Sequence, residues 1–172
     1  MATRKLNRMN KISDVAILCT GGTFDKRYDS EQESLLFKGT SATHVILKKA
    51  QAKGIRVETI FEKDSLDVNE DDLKALANAI EMSRESKIVV VHGTSRMIET
   101  AKYVEKLTAK AVIFIGAMVP HSIDSVESSF NLGFALGVVQ QIDEGVKIAM
   151  SGEVFSVFEV VKNPSGPRFE FL

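Results

Sequence analysis

The sequence is short of the residues that build anything other than an ordinary packed core. It holds one cysteine, Cys19, three prolines and no tryptophan in 172 residues. A single cysteine excludes an internal disulfide framework and a cysteine-rich metal site. The three histidines, His44, His92 and His121, form no HxxH or HExxH pair, so spacing points to no metal centre and no cofactor. Neither sign of charge dominates: 22 Lys+Arg against 23 Asp+Glu leave a net charge of −1. That balance offers no uniform field to hold nucleic acid or an anionic membrane. No apolar run approaches the roughly 18 residues of a membrane span. The basic N-terminus (MATRKLNRMNK) is followed by no apolar stretch and is not a secretory signal. The expectation is a soluble, cytoplasmic, single-domain protein.

What is present is globular. With 44% hydrophobic and 26% charged residues the composition sits near the average of packed domains, and the length fits one domain. We expect a mobile basic arm over residues 1–13 and a single domain over 14–172. Short β-branched runs at Val15–Thr20, Arg56–Phe61, Ile88–His92, Ala111–Gly116 and Val146–Met150 are nearly continuous in apolar character, as in strands buried on both faces. Helical spacing fills the intervals. One helix is expected over Ala42–Ala52, stopped by Gly54 as the C′ residue. A second opens at Asn69, with Asp72 three residues on in a capping box. A third follows Gly93, from about Ser95 to Leu107. A fourth starts at Asp124, with Glu127 three residues later, and carries Gly133 and Gly137 four apart, a spacing that permits close packing against a sheet.

This alternation predicts an α/β fold: a three-layer α/β/α, flavodoxin-like or Rossmann-like parallel sheet with strand order 2-1-3-4-5. In such sheets ligands bind beyond the carboxyl ends of the strands, at the switch point between strands 1 and 3. Two Gly/Thr-rich loops fall there: Thr20-Gly21-Gly22-Thr23 after strand 1, and His92-Gly93-Thr94-Ser95 after strand 3. Paired glycines let the backbone turn tightly and bring the Thr23 hydroxyl into the crevice. The second loop is expected to place Thr94 and Ser95 at a helix start, where free N–H groups favour an oxyanion or carboxylate. Neither loop fits GxxxxGK[ST] or GxGxxG, which disfavours nucleoside triphosphates and dinucleotides. A threonine hydroxyl needs a base. His44 reads as a surface residue and His92 as a core histidine, while His121 lies near the crevice. A desolvated lysine could serve instead, and Lys162 and Lys26 are both placed for it.

The segments ILCTGGTFDK (17–26), KDSLDVNEDDLKALANAI (63–80), VVVHGTSRMIETAKYVEKL (89–107) and GAMVPHSIDSVESSFNLGFAL (116–136) resemble, in order and spacing, the N-terminal domain of bacterial-type L-asparaginases and the short single-domain asparaginase-like proteins. The resemblance implies an amidohydrolase that releases ammonia through a threonyl ester. It further implies Thr23 as nucleophile, Thr94 as the second catalytic threonine, and Lys162 as the catalytic lysine. Ser65 would hold the substrate carboxylate, and Gly22, Ala117 and Tyr28 would line the site. A homodimer or higher homo-oligomer is expected, because a lone domain leaves its crevice open for a partner chain to cover. Three features depart from the family pattern. Ser95 stands where the family has the aspartate that binds the substrate's α-ammonium. Leu66 follows Ser65 in place of a polar residue. The C-terminal domain of the larger enzymes is expected to be absent. These departures also admit a non-catalytic amino-acid-binding or regulatory module with a degenerate site.

Overall fold

The computed structural model describes residues 14–172; the expected N-terminal arm lies outside them. Five parallel strands, β1 (Val15–Gly21), β4 (Arg56–Lys63), β5 (Lys87–Val91), β6 (Ala111–Ile115) and β7 (Gly145–Met150), form the sheet. The spatial order is β4-β1-β5-β6-β7, with β8 (Glu153–Ser156) added antiparallel to β7 at one edge. Numbered by appearance, the parallel strands run 2-1-3-4-5.

Alternation along each central strand divides the core between the two faces. Val15, Ile17 and Cys19 of β1 point to one side, where α1 (Ala42–Lys49) and α4 (Ser125–Val139) supply Ile46, Leu47, Leu132 and Val139. Ala16 and Leu18 point to the other, where α2 (Glu70–Met82) and α3 (Met97–Glu105) supply Leu76, Ile80, Met97 and Val104. Every residue of β1, β5 and β6 is buried.

Four local expectations differ from the structure. Strand β4 is not buried on both faces: it is the free edge of the sheet, and Glu58 and Thr59 are exposed. Helix α1 ends at Lys49, because Gln51 takes a left-handed conformation (φ 56°) and the Ala52 N–H closes onto the Leu47 carbonyl, so Gly54 is not the stop. Helix α3 begins at Met97, which leaves Thr94 and Ser95 in the turn before it. Gly133 and Gly137 are exposed and face open space rather than the sheet.

The loops anticipated around these elements carry further strands. Residues after β1 form a hairpin of β2 (Lys26–Asp29) and β3 (Ser34–Phe37). The C-terminal stretch folds into an antiparallel pair, β9 (Val160–Lys162) and β10 (Phe169–Phe171). Phe155 and Phe169 anchor this end of the chain in the core cluster under α2 and α3. No helix of the described residues is long and apolar enough to cross a membrane.

Candidate functional site

Three loops interlock at the carboxyl ends of β1, β4 and β5. Gly22 has φ +74°, and a Cβ there would lie 2.4 Å from the Gly93 Cα. Gly93 in turn packs on Ser65, whose Oγ would be 2.7 Å from an added Cβ. No side chain larger than hydrogen fits at either position, so the two glycines set the spacing of the TGGT, Ser65 and HGT loops. The Gly22 N–H donates to the Lys63 carbonyl at 2.9 Å, closing the β1 loop onto the end of β4.

Thr23 leads a short 3-10 turn (Thr23–Asp25) and is half-buried at the crevice. Thr94 is 7% exposed. Lys162, at the end of β9, donates from Nζ to Thr94 Oγ1 at 2.9 Å, a contact spanning 68 residues of sequence. The Thr94 hydroxyl faces Met118 Sδ at 3.5 Å. Ser65 is 2% exposed and opens a second 3-10 turn, capped by Asp64, which accepts from the Leu66 N–H. Ala117 is buried in the loop after β6. Its neighbour Gly116 lies so near that a Cβ would meet the His92 carbonyl at 2.5 Å and the Thr94 methyl at 3.0 Å. Direct contacts thus bring the loops bearing Gly22, Ser65, Thr94 and Gly116–Ala117 together with Lys162, and Thr23 follows Gly22 in the first of them.

Two candidates stand apart. Tyr28, on β2, is 61% exposed, and Ser95 is exposed in the turn before α3. Among the described residues no hydrogen bond joins either to the other site residues. Leu66 is exposed as well.

Lys26, the other lysine the sequence offers as a base, is held in an ion pair with Asp64 at 2.6 Å. The Lys26 ammonium is also the main reason that the Asp64 carboxyl lies below its ordinary range. This pair ties the hairpin to the Ser65 loop. Lys162 forms no ion pair among the described residues. His92 is fully buried, its Nδ1 2.8 Å from the Gly93 carbonyl and its Nε2 without a partner. The short contact to a carbonyl requires the proton on Nδ1. Burial pushes this histidine down to about 4, so it is neutral at physiological pH. Cys19, directly before the TGGT loop, is buried and its thiol is pushed up to about 11, which removes it as a nucleophile.

Two further residues shape the site. Asn131 on α4 donates to the Gly116 carbonyl at 3.0 Å and accepts from the Ser151 N–H at 2.9 Å, joining the loop after β6 to the β7–β8 turn. Glu127 accepts from the Met118 and Val119 N–H groups at 3.0 and 3.1 Å instead of closing a capping box with Asp124, and so fixes the Ala117 loop. The signal for Asn131 was its place in an apolar helical run, where a buried amide is costly without partners. The spacing marked Glu127 for the start of α4, not for the Ala117 loop.

The chain matches the sequence model of the family Asparaginase, N-terminal, over residues 14–171. No curated protein matches it. Among solved structures, it resembles the thermostable L-asparaginase from Thermococcus kodakarensis with TM-score 0.77 and 21% identity, over 92% of this chain and 51% of that one. It resembles a probable cytoplasmic L-asparaginase from Campylobacter jejuni with TM-score 0.72 and 27% identity, over 86% of this chain and 49% of that one. The chain spans about half the length of these structures.

Proposed function

The chain belongs to the asparaginase family, through that family's N-terminal domain, and from this premise we propose that it is an amidohydrolase releasing ammonia from L-asparagine or a related amide. The observation that carries the reading is the 2.9 Å contact between Lys162 Nζ and Thr94 Oγ1, beside the glycine-built TGGT loop. A lysine within hydrogen-bond reach of a hydroxyl is positioned to exchange a proton with it.

The reaction runs in two displacements. Thr23 Oγ attacks the amide carbon, the C–N bond breaks, and the hydroxyl proton leaves with nitrogen as ammonia. The product is a threonyl ester. Water then adds to the ester carbon, one of its protons passing by way of the Thr94 hydroxyl, against which Lys162 Nζ is positioned, to the Thr23 oxygen. The C–Oγ bond breaks, Thr23 so regains its proton, and the free acid departs. Ser65 holds the substrate carboxylate, and the loop Gly116–Ala117 flanks the amide. The cytoplasm is the proposed location, by analogy with the description carried by the Campylobacter jejuni structure.

Ser95 bears on the substrate. A neutral, exposed hydroxyl supplies no negative charge for an α-ammonium, and a charge-assisted hydrogen bond is about twice as strong as a neutral one. We therefore expect weak selection for free asparagine against N-acylated or peptidic amides. The same feature supports a second reading, a binding module that retains the pocket without efficient turnover.

Ammonia release from L-asparagine, L-glutamine and N-acetyl-asparagine tests both. The expected result is release from at least one amide that vanishes in Thr23→Ala, with Ser95→Asp raising activity on free asparagine about ten-fold relative to the N-acetyl form. Turnover that survives Thr23→Ala overturns the threonyl mechanism. Calorimetric binding of an amide without any release moves the assignment to the binding module.

A further inference from the structure

Helices α1 and α4 lie on the same face of the sheet but do not close over it completely. Between them runs a groove of about 260 Å³ that plays no part in the crevice above. That is room for roughly eight groups the size of water, at about 30 Å³ each. Its walls are aliphatic: Ile46, Leu47 and Ala50 from α1 and its cap, Leu132 and Leu136 from α4, with Gly133 leaving the α4 wall low. Of its polar residues none is acidic: Lys49 carries positive charge, and His121, Ser125 and Ser129 bring hydrogen-bonding groups.

The electrostatics agree. His121 lies below its ordinary range through burial first, and then through the positive charges of Lys49 and Arg27. No carboxylate acts on it to offset them. Of the acids nearest in sequence, Asp124 caps α4 by accepting from the Val126 N–H, and Glu127 is turned onto the backbone of Met118 and Val119. His121 Nδ1 meets Ser128 Oγ at 2.7 Å, which leaves Nε2 as the ring's available nitrogen. A groove with an aliphatic body, one cation at its rim (Lys49) and no carboxylate among its lining residues matches a ligand with an aliphatic body and an anionic head.

We propose that the α1–α4 groove binds a medium-chain aliphatic carboxylate of six to eight carbons, its alkyl chain between Ile46, Leu136 and Gly133 and its carboxylate at Lys49 and His121. This holds whether or not the crevice hydrolyses amides. The carboxylate gains charge-assisted hydrogen bonds from the ammonium and the serine hydroxyls. The alkyl chain gains by removal of its methylenes from water against the aliphatic walls.

Isothermal titration of the full chain with octanoate tests the proposal, with butyrate and octan-1-ol as comparisons. We expect saturable one-to-one binding of octanoate. Butyrate, which keeps the head and loses four methylenes, should bind at least ten-fold more weakly. Lys49→Gln should weaken octanoate at least five-fold and leave octan-1-ol unchanged. Ala50→Phe, at an exposed position just past α1, should abolish both by filling the groove. Absence of saturable octanoate binding overturns the proposal. So does an affinity insensitive to chain length, octan-1-ol binding as tightly as octanoate, or octanoate binding that neither variant alters.

Discussion

His92 shows how one buried side chain writes a pH dependence into the whole molecule. Its folded value of about 4 lies below the ordinary 6.5, because burial disfavours the imidazolium. Above pH 6.5 the residue is neutral in both folded and unfolded chains, and its environment costs nothing extra. As pH falls from 6.5 toward 4, only the unfolded chain binds the proton, so stability is lost across that window. The loss amounts to about 3 kcal/mol at 1.36 kcal/mol per unit. Urea denaturation at pH 7, 5.5 and 4 should show this component, and His92→Gln should remove it. An equal acid slope in the variant would place the proton uptake elsewhere. Glu85 acts at lower pH: burial alone would raise it, but Arg56 and Arg84 overcome that and hold it at about 2. At residue scale the sequence reading of His92 as a core histidine agrees with the structure, because it ends an apolar strand. His121 could not be assigned the same way, since its surroundings come from α1 and the hairpin, far away in sequence.

Helix α4 is the element whose sequence misleads most. Its residues are apolar on nearly every side, so periodicity identifies a helix without saying which face is inward. Gly133 and Gly137 read as close-packing positions, yet both look outward into open space. The inward face is instead the one bearing Leu132, Ala135, Leu136 and Val139. A solvent-facing glycine in a helix interior costs roughly 0.5–1 kcal/mol relative to alanine. Gly137→Ala should therefore stabilise the protein by about that amount, seen as a higher Tm in differential scanning calorimetry. A lower Tm would mean that the glycine accommodates a neighbour after all. Helix α2 is the opposite case. Asn69 and Asp72 form the full capping box expected of them, with Asn69 Oδ1 accepting from the Asp71 and Asp72 N–H groups and Asp72 accepting from the Asn69 N–H. Capping is legible because all its partners lie within four residues.

The sheet separates the molecule into two cores that share its strands but not their helices. Ile80 on α2 belongs to one and Ile113 on β6 faces the other. Ile→Val at either site removes one methylene and should cost about 0.5–1.5 kcal/mol. Because the two side chains contact different clusters, the double substitution should cost the sum of the singles within about 0.5 kcal/mol. Chemical denaturation of the four proteins of this cycle provides the measurement. A larger coupling would mean that strain passes through β6 from one face to the other.

By itself the sequence determined the alternation of strands and helices, the two Gly/Thr loops at the crevice and the local caps, because each depends on residues a few positions apart. Apolar runs of five residues, glycines before threonines and Asn-x-x-Asp are signals that the chain carries locally. Tertiary structure decided what pairing over long separations decides. It made β4 a half-exposed edge, since among the described residues no further strand lies beyond it. It also paired Lys26 with Asp64 while bringing Lys162 to Thr94. The two lysines are equivalent in sequence reasoning. They differ because the β9–β10 pair, anchored by Phe155 and Phe169, carries Lys162 back over the sheet, and no local pattern encodes that return.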